Sequence, residues 1–319
     1  MSCFVIFVFF IDTDPSSNEL FSNNEIFNGK VKISIGDQND RPDLIKKTLS
    51  QVKKRIEEFD FSIKEIDKNL YEIDIKNIDD TTALKNLMTA SSVIEFLELF
   101  TIVEIEEGLI ALEKELKENN LKESNLRPLT EIINFSSPYQ FNGRTIFPGE
   151  IGFVKRKDTS YLNQVFNDEK IKTKFPANVK FAFGNYGNNP LFRDSILQIY
   201  ALKKVEGSSN RLPKGSQISD VSVGTDRLTK TPVIIFSFNK EGSDAWHLMT
   251  EKNIAKPIAI VINGNVFNAP YVEHAIEGGK SQITGNFTKK EGLHVANLIR
   301  SGDLELPVKI IESNFAGSK

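Results

Sequence analysis

Apolar residues recur along this chain with two periods, and the switches between them mark out elements. In residues 31–35, VKISI, Val31, Ile33 and Ile35 alternate with polar neighbours, as a strand with one buried face does. Residues 41–59 then carry Ile45, Leu49, Val52, Ile56 and Phe59 at steps of four and three, the stripe of an amphipathic helix. Alternation returns at 61–66 and 70–75, joined by Asp67-Lys68-Asn69, so a hairpin is expected. A short helix over 79–91, opened by an Asp or Thr cap, and a strand over 93–99 follow. Strand, helix, strand, strand, helix, strand is the order of a split βαβ, ferredoxin-like arrangement.

The texture changes after residue 103. Residues 104–123 predict a charged helix with Ile105, Leu109, Leu112 and Leu116 inward, its glutamates forming a solvated face. From 124 to 195 the chain is rich in Asn, Pro, Phe and Gly and reads as loops and short strands, with one helix over 158–176 that stops before Pro176. Residues 203–216, KKVEGSSNRLPKGS, are the best candidate boundary. Beyond them come a buried strand at 232–238 and a helix at 239–253 that buries Ala245, Trp246 and Met249. Two strands then flank Asn263-Gly264, a strong hairpin signal. A strand at 281–287 leads to a helix capped by Thr288, with Glu291 three residues on, that buries Leu293, Leu298 and Ile299 and stops near Gly302. A last strand is expected over 306–313. The mixture predicts an α+β fold.

The chain has 319 residues and a net charge of −3, which offers no electrostatic case for nucleic acid or an anionic membrane. The basic run at 46–55 has acids close by and reads as the solvated face of a helix. A single cysteine, Cys3, excludes an internal disulfide and a cysteine-rich zinc site. It lies in an apolar run, Cys3 to Ile11, that is too short to span a bilayer and lacks the basic start of a signal peptide. Two readings stay open for this run: a buried strand, or the remnant of a membrane or export segment.

Candidate chemistry is sparse. Residues 274–282, HAIEGGKSQ, look like a phosphate loop, but His274 stands where the first glycine is required, and the stretch precedes a strand instead of opening a helix. Gly278-Gly279 is a turn. His247, His274 and His294 lie on separate elements without metal-ligand spacing. No nucleophile elbow is present, and the Asn-Phe-Thr at 286–288 is better explained by the helix cap than by glycosylation. No catalytic residue, metal site or cofactor is expected, and the chain is not read as an enzyme.

Residues 216–311 resemble the first periplasmic domain of the SecD/SecDF protein-export membrane protein family. The matching pieces are FSFNKEGSDAWHLMTEKNIAKPIAIVINGNVFNAPYV and GGKSQITGNFTKKEGLHVANLIRSGDLELPVKIIE, in the family's order and at nearly its spacing. Residues 44–80 and 87–100 resemble the family's earlier helix, strand pair and following segment. Residues 154–202 look like the insertion of its longer, fused members.

The resemblance implies a ferredoxin-like base carrying an inserted α+β head. On this reading 1–27 is an N-terminal segment, 28–103 the base, completed by 305–313, 104–202 a connector, 203–304 the head, and 305–319 the final base strand and tail. It also implies a module that assists Sec-dependent export by binding unfolded preprotein, with the Sec translocon or another SecDF membrane component as partner, at the periplasmic face of the inner membrane. The family's membrane helices have no counterpart here, nor has its Leu-Asp-Leu-x-Gly-Gly motif before residue 40, so no proton-coupled motor is expected in this chain. The alternative is a SecD-derived structural or interaction paralogue, or a truncated fragment, without export activity. Candidate substrate contacts are Ile262, Val266, Phe267, Asn268 and Tyr271, through grooves or strand edges on the hairpin. The competing reading is that this hairpin simply packs the head core.

Overall fold

The alternation at the start is realised as β1, Phe27–Ile35, in which Val31, Ile33 and Ile35 are fully buried. The computed structural model describes residues 26–37, 39–90, 94–120, 126–141, 143–185, 195–204, 213, 215–227, 229–284 and 287–317. The apolar run Cys3–Ile11, Asn286 and most of the candidate boundary 203–216 lie outside the described residues. After β1 come α1, Pro42–Arg55, β2, Asp60–Asp67, β3, Leu70–Ile78, α2, Thr81–Thr89, and β4, Ile94–Phe100. Next are α3, Glu106–Asn120, β5, Ile133–Phe135, β6, Tyr139–Phe141, β7, Arg144–Ile146, and β8, Gly152–Lys155. There follow α4, Thr159–Asn167, α5, Glu169–Lys172, β9, Val179–Asn185, β10, Ile196–Lys203, and β11, Ile218–Thr225. The chain continues through β12, Pro232–Phe238, α6, Lys240–Lys252, β13, Ile258–Ile262, and β14, Asn265–Asn268. It closes with β15, Lys280–Thr284, α7, Lys289–Ser301, and β16, Val308–Gly317. The fold is α+β, and the chain divides into two compact units.

One unit contains the described residues up to 90, Asp220–Val223 and residues 290–317. Its sheet has the order β16-β1-β3-β2, antiparallel throughout, the strand order of a ferredoxin-like base. The place of the fourth strand is taken by β16. The strand at 94–100, which the local pattern assigned to the base, lies instead in the largest sheet of the other unit. A local strand–helix order cannot distinguish these two, because a strand returning from the far end of the chain satisfies the same pattern. The helical stripe of α1 packs on this sheet, with Ile45, Val52 and Ile56 buried among Ile73, Ile75, Leu84 and Met88. α1 ends at Arg55, earlier than its stripe suggested, and Phe59 packs on the core from the following turn.

A buried arginine joins three helix ends in this unit. Arg55 Nε donates to Ser301 Oγ at 2.9 Å, Nη1 to the carbonyls of Leu87 and Ala90, and Nη2 to Gly302 O at 3.1 Å. These acceptors lie at the C-terminal ends of α2 and α7, where backbone carbonyls lack helical partners. Burial pulls the guanidinium down to about 10, partly offset by Asp303, so it stays charged at neutral pH.

The other unit contains Ile94–Ser219 and Gly224–Lys289. Its largest sheet runs β4-β13-β14-β9-β10-β8-β5, and a further pairing of β4 with β10 closes the first five strands into a ring. Leu97, Leu99, Ala182, Tyr200, Leu202, Ala259, Val261 and Val266 form one cluster of alternate residues from these strands, the inside of a small closed sheet. The other face of β10, through Leu197, Ile199 and Ala201, packs with Leu109, Leu112 and Leu116 of α3 and Leu162 and Phe166 of α4. Both faces of β10 are therefore buried, which erases the polar alternation that would have announced it. The helix expected over 158–176 is broken at Asp168, whose carboxylate accepts from Lys170 N and Ile171 N and starts α5.

Candidate functional site

The candidate hairpin is built by its turn. Asn263 and Gly264 have φ of 52° and 81°, the two left-handed positions that such a two-residue loop requires. Ile262 pairs with Asn265 and Val261 with Val266, but Ile260 pairs with Asn268, so Phe267 is the extra residue of a bulge. On one side β13 pairs with β4 from Ile258↔Glu98 to Ile262↔Ile94. On the other, β14 meets β9 through Val266↔Gly184, where a Cβ on the glycine would stand 2.6 Å from Val266 O. The hairpin thus has a strand partner on each side.

This separates the five candidate residues. Val266 is 3% exposed and belongs to the cluster inside the closed sheet. Ile262, Phe267, Asn268 and Tyr271 are half-buried. The bulge sets Phe267 against Phe287, with ring centroids 5.4 Å apart. Asn268 Nδ2 donates to Thr284 O at 2.6 Å, and its Oδ1 accepts from Ala269 N, tying the hairpin to the end of β15. Tyr271 bridges to Pro257 and turns to a different neighbourhood. Burial raises its hydroxyl pKa, with Tyr139 adding to the rise and Arg144 opposing it. Phe267 and Asn268 therefore belong to one patch and Tyr271 to another.

The second patch includes residues that pattern reading passed over. β6 and β7 form a two-stranded ribbon in register Tyr139↔Ile146 to Phe141↔Arg144, and Tyr139 and Phe141 are 44% and 38% exposed. The available signal was the Asn142-Gly143 pair between YQF and RTI, hidden in a loop-like composition. On β4, Phe96 meets Trp246 at 5.1 Å, Phe238 at 5.5 Å and Phe236 at 5.8 Å. Trp246 Nε1 donates to Ser281 Oγ at 2.7 Å, so this indole is a satisfied core residue. The Gly278-Gly279 pair is a turn with φ of 72° and 65°, and a Cβ on Gly279 would stand 2.7 Å from Ser243 Cβ. Among the described residues no cluster of three or more His, Cys, Asp or Glu side chains could hold a metal ion. No described helix is long and apolar enough to cross a membrane.

Residues 198–306, which contain the hairpin, α6, β15 and α7, match the family described as SecDF, P1 head subdomain. The chain resembles the periplasmic domain of SecD and SecDF. The protein translocase subunit SecD of Syntrophobacter fumaroxidans is 37% identical over 106 residues, 33% of this chain and 20% of that protein. SecD of Rhodothermus marinus is 30% identical over 167 residues, 52% of this chain and 26% of that protein. The chain thus spans about a fifth to a quarter of these curated relatives. A solved structure of SecDF, described as a membrane component that enhances protein export, is 18% identical. It covers 89% of this chain and 98% of that one, with a TM-score of 0.44. The matched stretch falls in both compact units, with residues 290–306 in the unit that holds the ferredoxin-like sheet.

Proposed function

We propose that this chain serves Sec-dependent protein export as a SecD-like periplasmic module that holds unfolded preprotein at the cell envelope. The observation that carries this reading is the P1 head match over residues 198–306, which includes the candidate hairpin. The contact is made by side chains rather than by strand addition at this hairpin, because β13 and β14 already have partners on both sides. Ile262, Phe267 and Asn268, half-buried on the outside of the closed sheet, offer apolar area with a polar neighbour. The exposed Tyr139 and Phe141, with Tyr271, form a second apolar contact. An extended chain has apolar side chains free for such surfaces, whereas a folded protein has buried them. The partner is the Sec translocon or another SecDF membrane component, which supplies the energy.

The test is the affinity of the full chain for an export precursor held unfolded, against the same precursor in its native state. Binding to the unfolded form is expected to be tighter by ~10-fold or more. Equal affinity for the two forms would overturn the reading.

A further inference from the structure

The lysines of the basic run at 46–55 fall on one exposed side of α1. α1 buries Ile45, Thr48, Gln51, Val52 and Arg55. The side turned to solvent carries Lys46, Lys47, Ser50, Lys53 and Lys54, together with Asp43. Residues seven apart lie nearly in line on a helix, so Lys46 with Lys53 and Lys47 with Lys54 make two parallel rows. Each row runs about 10 Å along the axis. Most of the acids near this array pair outside it. Glu57 pairs with Arg300 at 2.9 Å, Glu58 faces His294 Nε2 at 2.7 Å, and Asp60 pairs with Lys76 at 3.1 Å. Asp43 pairs with Arg41, and Glu305 takes Lys47. Among the described residues, Lys46, Lys53 and Lys54 have no carboxylate partner, in a chain whose net charge is −3.

We propose that this face of α1 docks on an anionic phospholipid surface. The occupant follows from the residue types. The face has no aromatic or aliphatic side chain to seat a peptide or stack a base, and its array contains lysines rather than arginine forks. Ammonium groups on a convex helix are point charges without fixed directionality, and they suit headgroups that move laterally to meet them.

The experiment measures how the full chain partitions onto phosphatidylcholine vesicles with and without phosphatidylglycerol, and takes the ratio of the two. Using the ratio removes any binding that does not depend on lipid charge. Lys46→Gln, Lys53→Gln and Lys54→Gln together are expected to lower the anionic preference by about a hundredfold, since each lysine near such a surface contributes roughly fivefold. The matching triple arginine variant should keep the preference, and added salt should reduce it in the wild type. Circular dichroism checks that these exposed substitutions leave the fold intact. An anionic preference unchanged by the glutamine variant overturns the proposal. So does binding to polyglutamate with no preference for anionic vesicles, which would assign the face to an acidic polypeptide.

Discussion

Burial raises the pKa of the Glu150 carboxyl, against the opposing pull of its own backbone N–H and a long, 3.5 Å bond from Ser136 Oγ. Glu113 goes the other way. Burial also pushes it up, but donors from Lys117, Thr130 and the Leu129 N–H outweigh burial and hold it below its ordinary value. The two glutamates therefore have opposite linkage to folding. Glu113 contributes stability above its unfolded pKa and loses it as pH falls through the folded value. Glu150 penalises folding once pH rises above its unfolded pKa, and the penalty vanishes below it. Glu150→Gln is thus expected to raise the melting temperature at pH 7 and to lose that advantage near pH 4. A lower melting temperature for the variant at pH 7 would mean that the folded protein uses the charged carboxylate. Neither behaviour could be read from the sequence, because each depends on burial and on donors brought in from distant positions, such as Ser136 for Glu150 and Thr130 for Glu113.

At the scale of elements, Arg55 decides how the ends of α1, α2 and α7 meet. Its guanidinium supplies donors to a hydroxyl and three carbonyls, and each buried acceptor left unpaired costs about 1–3 kcal/mol. Arg55→Lys keeps the charge but not the fork, so a loss of roughly 2–4 kcal/mol is expected in urea unfolding. A change below ~0.5 kcal/mol would show that the helix ends hold without it. In sequence Arg55 closes a Lys-Lys-Arg run and reads as the most solvated of residues. Elements with one buried face were legible: the stripe of α1, the alternation of β1 and β3, and the Asn263-Gly264 turn each appear where periodicity puts them. β10 was harder, because it is covered on both faces and its polar alternation is lost, whereas β4 was legible as a strand over 93–99 but not the sheet it joins. The bulge at Phe267 leaves no local mark at all, yet it decides which way that ring points.

At the scale of the molecule, the two sheets answer different questions. The four-stranded sheet takes its edge strand β16 from the far end of the chain, and such a return is invisible to any local window. In the other unit the ring of β4, β13, β14, β9 and β10 places Val266 inside and leaves Ile262, Phe267 and Asn268 half-buried outside. The closure removes strand edges from the hairpin, which leaves side-chain contacts as the route for the proposed binding. The account stands on that narrowed patch taking hold of an extended precursor. A photo-reactive residue at position 267 of the full chain, in cells exporting a stalled precursor, tests it most directly, with position 66 on β2 as the comparison. The account predicts an adduct between position 267 and the precursor that is weak or missing from position 66. An adduct from position 66 with none from position 267 would contradict it.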